Sequence, residues 1–383
     1  MLHGDGVSLQ LIDSLVKLPP LTPKQVSKLT FPIGAVSLVV IAMILRIGAP
    51  QEAGTTIREQ ISQLDPIGTL LFLPGIVCLL LALQWGGSTY AWGNARIIAL
   101  LVLAGLLMIA FVAVQIWKQD LATVPPRIMK NRSVASGFFY AICAGSSMMI
   151  LVYFIPIWFQ AIKNVTAFNS GIRMLPLVLA LILGSGVSGG ITSGTGYYTP
   201  ALIFGTVLMS IGAGLITTFN LSTTTGQWIG YQILFGLGLG ASMQIPGMAA
   251  QTVLSSADIP VGASLMFFAQ WLGGAFFVSV GQNVLSNKLV EGFAGIGIFN
   301  GAELLSYGAT NLRNAVPAQY LHQVLEIYNG ALSKVFVVAL AMACLSFIPS
   351  LTMEWKSVRK DLPNNGKRGK KLEKEAAPEV EGV

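Results

Sequence analysis

Two charged residues border long apolar runs of this chain and are the first candidates for chemistry. Asp65 precedes a run that starts at Pro66, and Arg173 lies at the start of another. Charge inside a bilayer is costly, so such residues are functional candidates by default. For Asp65 we expect a helix cap, because a carboxylate suits the N-terminal dipole, with proton coupling as the alternative. Arg173 is expected to reach the lipid headgroups or to pair with an acid.

Proton antiport would require a carboxylate or histidine that titrates inside a cavity. We find no such residue in the middle of an apolar run, since His3 and His322 both lie outside the runs. There is also no metal-ligand cluster, no phosphate-binding Gly-Lys-Ser/Thr loop and no catalytic triad in the sequence. An enzyme, an ATP-driven pump, a bound metal or another cofactor therefore has no support.

Neutral amides are the main polar residues in the apolar runs. An amide in hydrocarbon needs a hydrogen-bond partner, so each should face another helix or a wet cavity. Contact between helices and substrate binding are both open for each of them, Gln232 included. Amides beside aromatic rings would suit an amphipathic organic compound, with apolar walls and a few polar anchors. The candidates for such a cavity are Tyr153, Trp158, Phe159, Gln160, Gln244, Gln251 and Gln270.

Pairs of glycines recur at helical spacing. Gly186 and Gly190 are four residues apart, as are Gly236 and Gly240. Each pair is expected to open one helix face for the close approach of a neighbouring helix. The faces could serve packing alone or sliding and hinge motion, and the sequence favours neither.

The composition indicates that these residues lie in a lipid bilayer. The chain is 54% hydrophobic and only 10% charged, and its mean hydropathy is +0.70. Residues 174–257 contain no Asp, Glu, Lys, Arg or His. A soluble domain is about one quarter charged. The net charge of +7 does not indicate nucleic-acid binding, because the basic residues lie beside apolar runs and in the C-terminal tail.

Nine segments are long and apolar enough to cross the bilayer as helices. They are residues 31–47, 65–86, 96–117, 134–160, 172–192, 199–219, 227–251, 261–285 and 331–353. Lys and Arg in the connections place the C-terminus in the cytoplasm. The sequons at Asn164 and Asn220 then fall outside, where they could be glycosylated. Pro317 begins a helical pattern that predicts an interfacial helix before the last span.

Several short motifs occur in a specific order along these spans. They include Leu64-Asp65-Pro66-Ile67-Gly68, Leu83-Gln84-Trp85-Gly86-Gly87, Tyr153-Phe154-Ile155-Pro156-Ile157-Trp158-Phe159-Gln160, Gly196-Tyr197-Tyr198-Thr199-Pro200 and Gly236-Leu237-Gly238-Leu239-Gly240. In this order and spacing, over residues 31–355, the chain resembles the fourteen-span drug:proton antiporters of the major facilitator superfamily. The fungal toxin and drug efflux pumps are the most similar group.

The resemblance implies an all-α polytopic membrane protein with a partial major facilitator fold of about nine transmembrane helices. Residues 31–47 would be the last helix of the N-terminal half and 64–117 the two linker helices. Residues 134–353 would form a complete C-terminal six-helix bundle, followed by a disordered cytoplasmic tail at 354–383. Residues 1–30 resemble nothing in the family, and the first five helices have no counterpart, so we expect a truncated or alternatively started chain.

By the same resemblance, the chain would export a small amphipathic organic compound, either a drug or a secondary-metabolite toxin. Two bundles would give alternating access around a site at the bilayer midplane, and protons would drive transport in the full-length family. The plasma membrane is the expected location, with the vacuolar or a vesicle membrane as alternatives. The other hypothesis is a transport-incompetent membrane fragment, or a subunit that associates with another chain.

Overall fold

The computed structural model describes Val40 and residues 65–87, 89–119, 122–294 and 316–358. The chain divides into residues 1–60 and 61–383, and all of the described residues except Val40 belong to the second unit. The predicted N-terminal segment at 1–30 and most of the predicted first span at 31–47 lie outside the described residues.

The described residues form helices, connected by turns and two isolated β-bridges. We number the helices α1 Pro66–Trp85, α2 Ala95–Lys118, α3 Pro126–Met129, α4 Arg132–Ala161, α5 Ala167–Ile172, α6 Leu175–Thr195, α7 Thr199–Ile216, α8 Thr225–Met243, α9 Ile245–Val253, α10 Ile259–Ala294, α11 Ala318–Leu345 and α12 Phe347–Thr352. Local signals explain many of the starts, because proline occupies a first-turn position of α1, α3, α6, α7 and α9.

Eight segments of the described residues are long and apolar enough to span a membrane. They correspond to the last eight of the nine predicted spans, so the chain is an all-α polytopic membrane protein. The two largest differences from the predicted bounds are in the last two spans. Helix α10 continues to Ala294, and α11 already begins at Ala318, so the predicted interfacial helix and the last span form one continuous helix.

The longer α11 changes where one lysine lies relative to the end of its span. Lys334 lies in the middle of α11 and is therefore a charged residue inside a membrane-spanning helix. The sequence-based boundary at 331 had placed Lys334 close to the end of a helix. The lysine side chain is exposed on the bundle surface, which allows the long side chain to extend along the helix toward the membrane interface.

The six spans from α4 to α12 pack into one bundle. Helix α8 lies between α6 and α7, and α4 lies between α10 and α11. Helices α1 and α2 form a hairpin beside α10, and Phe72 of α1 contacts Phe111 of α2 and Phe268 of α10. Trp158, Phe154, Phe219, Phe235 and Phe336 are fully buried or nearly so in the core of the bundle.

Glycines bring the backbones of α6 and α8 together, but the predicted pairs differ. A methyl group on Gly240 would lie 2.0 Å from the carbonyl oxygen of Leu181, and one on Gly236 would lie 2.4 Å from that of Leu177. Gly186 and Gly190 instead have open space around them. The prediction for this pair is therefore wrong in this structure, because the buried face of α6 runs through Gly184, Ser188 and Thr192.

The two ends of the bundle are distinguished by their contacts. At the Asp65 end, Asp65 contacts Lys118 at the end of α2, and Arg127 pairs with Asp258 before α10. At the Lys163 end, the ammonium of Lys163 donates to the carbonyl oxygens of Leu221 and Thr223. Successive helices run between these two ends.

The first residues of the predicted disordered tail are folded against the bundle. Ser357 forms a β-bridge with Tyr197, and the backbone N–H of Val358 donates to the carbonyl oxygen of Gly196 at 2.8 Å. The ring of Trp355 also contacts the ring of Tyr197. Residues 355–358 therefore cover the α6–α7 connection, and residues 359–383 lie outside the described residues.

Candidate substrate cavity

A cavity lies within the six-helix bundle between α4, α8, α9 and α10. Gln244 and Gln270 are its amides, and Tyr140 supplies a phenol. Three methionines, Met148, Met243 and Met266, account for much of the apolar wall. The full lining is Tyr140, Ala141, Ala144, Gly145, Met148, Leu239, Met243, Gln244, Pro246, Gly247, Met266, Phe267 and Gln270.

A short interruption in the helix of the seventh span lies beside this cavity. The span runs as one membrane-crossing segment from Thr225 to Val253, as expected for residues 227–251, but its helix is interrupted between Met243 and Ile245. Pro246 explains the interruption, because proline lacks the N–H that would continue the helix and its ring crowds the preceding turn. Gln244 keeps right-handed helical dihedral angles, so the interruption is confined to one residue. Met243 and Gln244 line the cavity at this point.

Close packing on the opposite side positions Gln270. Helices α4 and α10 cross at glycines, and a methyl group on Gly145 would lie 2.4 Å from the carbonyl oxygen of Gln270. Gln270 is 8% exposed, whereas the Gln244 side chain is exposed. The hydroxyl of the fully buried Tyr140 is 3.3 Å from Thr206 Oγ1. The cavity therefore offers one fixed amide, one accessible amide and an anchored phenol.

The cavity is narrow in this conformation. Its volume is about 30 Å³, which suffices for a water molecule or two. Sites for drug-sized ligands are roughly 300–1,000 Å³. A bound organic compound would therefore require α8, α9 or α10 to move away from α4.

Five of the seven predicted cavity residues lie elsewhere. Trp158 and Phe159 are fully buried in the core, where Trp158 Nε1 donates to Asn329 Oδ1 at 2.8 Å and Phe159 contacts the ring of Trp228. Tyr153 is half exposed on α4. Gln160 Nε2 lies 3.3 Å from Ser170 Oγ and 3.2 Å from the carbonyl oxygen of Pro156, and Gln251 is exposed on α9.

Helical direction explains this separation. Helix α4 carries both sets of residues, but Tyr140, Ala144 and Met148 follow one face near its middle, whereas Trp158 and Phe159 lie near its Lys163 end. Tyr140, Met148 and Met266 line the cavity but were not predicted from the sequence. The helical spacing of Tyr140 and Met148 on α4 could have indicated a common face, but many faces of these spans carry aromatic or methionine residues.

One amide contradicts the expectation that every amide in the spans finds a partner. Gln232 is fully buried in α8, and neither atom of its amide has a hydrogen-bond partner among the described residues. It does not line the cavity. An unpaired buried amide costs roughly 1–3 kcal/mol by protein mutational data.

Asp65 is the most extensively hydrogen-bonded carboxylate in the described part of the chain. It is 1% exposed, and Oδ1 accepts from the backbone N–H of Gly68 and from Lys118 Nζ at 2.9 Å. Oδ2 accepts from Gln115 Nε2 at 2.7 Å and from the backbone N–H and hydroxyl of Thr123. Asp65 thus joins the start of α1, the end of α2 and the connection to α3.

These contacts determine the charge of Asp65. Burial alone would raise its pKa, but hydrogen bonds from Lys118, Gln115 and the backbone of Gly68 and Thr123 outweigh burial and hold the pKa well below its usual range. An aspartate that stays ionised near neutral pH is poorly suited to carry protons. The geometry therefore favours a helix cap over proton coupling for Asp65, and the same carboxylate also forms an ion pair with Lys118.

Arg173 contacts aromatic rings rather than an acid. Its guanidinium lies over the rings of Phe159 and Trp228, with 5.4 and 5.8 Å to the ring centroids. The ammonium of Lys163 lies over Trp158 at 5.4 Å. Burial, followed by the nearby charge of Arg173, lowers the pKa of Lys163. Two cations therefore cover the aromatic core at the Lys163 end.

Both predicted glycosylation sequons lie at this end as well. Asn164 and Asn220 are exposed in the connections after α4 and α7. Asn220 Oδ1 accepts from the backbone N–H and hydroxyl of Ser222, while its Nδ2 lies 3.4 Å from the carbonyl oxygen of Thr218. The two asparagines thus share one side of the bundle, and the assignment of this side to the outside of the cell stays a prediction.

The architecture defines the class of this protein as a polytopic helical membrane protein with a small amide-containing cavity in a six-helix bundle. Comparison with known proteins places it more narrowly. The MFS-type transporter VdtG of Byssochlamys spectabilis is 51% identical over 331 residues, which are 86% of this chain and 60% of that protein. The rubrofusarin-specific efflux pump aurT of Gibberella zeae is 48% identical over 313 residues, 81% of this chain and 57% of that protein.

The MFS-type efflux pump MFS1 of Trichophyton rubrum is 49% identical over 356 residues, 91% of this chain and 64% of that protein. No protein-family model matches the chain. The chain spans about three fifths of the length of these curated relatives. It is homologous to fungal MFS-type transporters and efflux pumps, which are transporters and not enzymes.

Proposed function

We propose that this chain is the substrate-handling part of an efflux transporter for small amphipathic organic compounds, such as fungal secondary metabolites. The observation that carries the proposal is the position of Gln244 and Gln270 in one apolar cavity inside the bundle that is similar to the efflux pumps. Both aurT and MFS1 are named as efflux pumps. The bilayer and a small organic molecule are then the partners of this chain.

The chemistry of the cavity supports an uncharged or weakly polar ligand. Its lining has amides, a phenol and thioethers but no carboxylate, ammonium, guanidinium or imidazole. Methionine is adaptable and makes favourable contacts with aromatic rings. Amides can donate and accept hydrogen bonds, so they can anchor hydroxyl and carbonyl groups.

Proton coupling, if the complete transporter has it, would then involve residues outside this cavity. Asp65 remains ionised near neutral pH and lies at one end of the bundle. We propose the cytoplasm as the side of the C-terminus, because Lys and Arg are concentrated in the connections on that side. We also propose the plasma membrane as the location, as the resemblance to drug efflux pumps implies.

The test is efflux of a fluorescent neutral compound from yeast cells that lack their own drug pumps. Gln270→Leu and Gln244→Leu each remove one polar anchor and should reduce the affinity for the compound several-fold, since one hydrogen bond contributes about 0.5–1.5 kcal/mol. Gln251→Leu makes the same chemical change outside the cavity and should leave efflux unchanged. Equal effects of Gln270→Leu and Gln251→Leu would refute the assignment of the cavity.

A second candidate function is a subunit that forms a transport path only together with another chain. Alternating access needs two bundles around the site, and the described spans from α4 to α12 form one bundle. This alternative predicts no efflux by the chain alone at normal membrane abundance. It also predicts that efflux returns when the unmatched portion of VdtG is produced in the same cells.

A further inference from the structure

A second concave surface lies on the outside of the bundle at the Asp65 end. We call it the α4/α12 groove. It has a volume of about 390 Å³ and is lined by α4, the end of α11 and α12. Its lining residues are Arg132, Ala135, Ser136, Phe139 and Cys143 of α4, Leu345 of α11 and Ile348, Pro349 and Thr352 of α12. It shares no residue with the candidate substrate cavity.

The walls of the groove face the surroundings of the bundle rather than its core. Phe139 is 59% exposed and Ile348 is 62% exposed, and Leu345 is also exposed. In a bilayer, apolar side chains on the outside of a span contact lipid tails. The two hydroxyl groups in the lining do not disturb this surface, because Ser136 Oγ and Thr352 Oγ1 are hydrogen-bonded to each other at 3.0 Å.

The length of the groove matches one leaflet of a membrane. From Arg132 to Cys143 the groove follows α4 for about 16 Å, at 1.5 Å per residue. The hydrocarbon core of a bilayer is about 30 Å thick, so one leaflet contributes about half of that. An acyl chain lying along α4 would therefore fill the groove from the interface to the bilayer centre.

A cation stands at the mouth of the groove. Arg132 is exposed, and its Nε donates to the carbonyl oxygen of Thr352 at 2.8 Å, which fixes the guanidinium beside the groove. The nearby carboxylate of Glu354 is paired with Lys356 at 2.9 Å, and that lysine holds the pKa of Glu354 below its usual range. The charge of Arg132 also lowers the pKa of Glu354, but more weakly than Lys356 does. The terminal nitrogens of the Arg132 guanidinium are the groups that can bind a phosphate.

We propose that the α4/α12 groove binds one anionic phospholipid, with an acyl chain between α4 and α12 and the headgroup phosphate on Arg132. Basic pockets between transmembrane helices on the cytoplasmic side are known to bind anionic headgroups. The positions of Lys and Arg predict that the Asp65 end is cytoplasmic. The proposal does not depend on transport activity.

The test measures which lipid the purified full chain retains. The detergent-solubilised protein is incubated with an equimolar mixture of phosphatidylserine and phosphatidylcholine of identical acyl chains, purified again, and its bound lipid is quantified. We expect about fivefold preferential retention of phosphatidylserine, corresponding to about 1 kcal/mol for one cation near an anionic lipid. Equal retention of the two lipids would overturn the proposal without any variant.

Two variants, each with a matched control, locate the site. Arg132→Gln should remove the preference, whereas Lys130→Gln changes a neighbouring cation outside the groove and should retain it. Ala135→Phe fills the groove and should release the lipid, whereas Leu183→Phe enlarges an exposed residue on α6 and should not. The four variants are compared only if their helical circular dichroism and their elution volume in size-exclusion chromatography are the same, so that differences in lipid retention do not reflect misfolding.

Each contrary result has a defined meaning. Equal losses in Arg132→Gln and Lys130→Gln would show general attraction between a basic surface and anionic lipid, which overturns the site. Unchanged retention in Ala135→Phe would exclude the groove. A wild-type dimer that Ala135→Phe converts to a monomer would assign the groove to contact between copies of this chain, and would also overturn the proposal.

Discussion

The packing of α6 against α8 predicts opposite outcomes for two glycines that are two residues apart. A methyl group on Gly184 would lie 2.3 Å from the carbonyl oxygen of Leu237, whereas one on Gly186 would meet nothing within 4 Å. Attractive contact between heavy atoms is optimal at about 3.5–4.0 Å. Gly184→Ala therefore requires the two helices to separate by about 1 Å, and overpacking of this kind costs about 1–3 kcal/mol.

Gly186→Ala provides the internal control. Both substitutions replace glycine by alanine in α6 and gain the same helix propensity, about 0.8–1.0 kcal/mol in water. The difference between the two variants therefore isolates the steric cost. We expect Gly184→Ala to be less stable than Gly186→Ala by about 1–3 kcal/mol, as measured by equilibrium unfolding in detergent followed by helical circular dichroism. Equal stabilities, or a less stable Gly186→Ala, would refute the account of α6–α8 packing.

Three further predictions concern the two ends of the bundle. Asp65→Asn should lower the free energy of unfolding by about 3–5 kcal/mol, because it breaks the buried ion pair with Lys118. In the double variant with Lys118→Met, the loss should be smaller than the sum of the two single losses. The pKa of Asp65 is lowered in the folded state. Its contribution to the free energy of unfolding is therefore fully present above about pH 4 and is lost as pH falls through the lower folded pKa. The effect of Asp65→Asn should thus be constant between pH 5 and 8. Trp158→Phe leaves Asn329 Oδ1 without its donor and should cost about 0.5–1.5 kcal/mol of unfolding free energy, whereas Trp355→Phe on the exposed surface should cost less. In a chain without its native cysteines, Asn164→Cys should react with a membrane-impermeant thiol reagent on intact cells and Arg127→Cys only after permeabilisation; the reverse pattern would contradict the orientation.

Hydropathy along the chain was sufficient to predict the membrane environment and the eight described spans. The reason is that lipid imposes its requirement on each span separately: about 20 apolar residues with all backbone groups paired inside the helix. The start at Pro317 was also visible in the sequence. Its continuation into the last span was not, because helix length there depends on packing of Tyr328 and Leu332 inside the bundle.

The predicted cavity residues show where sequence reasoning reached its limit. Amides and aromatic rings are equally suited to a cavity, to a helix contact or to the core, and the chemistry of Gln244 does not differ from that of Gln160. The structure separates them by position, since Gln244 lies beside Pro246 at the cavity, whereas Gln160 lies near Ser170 at the Lys163 end.

The sequence by itself therefore determined that this protein lies in a lipid bilayer, where its spans are along the chain and which charged residues border them. Only the tertiary structure decided that Gly240 packs while Gly190 does not, that Asp65 binds Lys118, and that Tyr140 joins Gln270 at one cavity. The physical reason is that burial in lipid acts on each helix alone, whereas a contact requires a partner whose position is specified by the whole bundle.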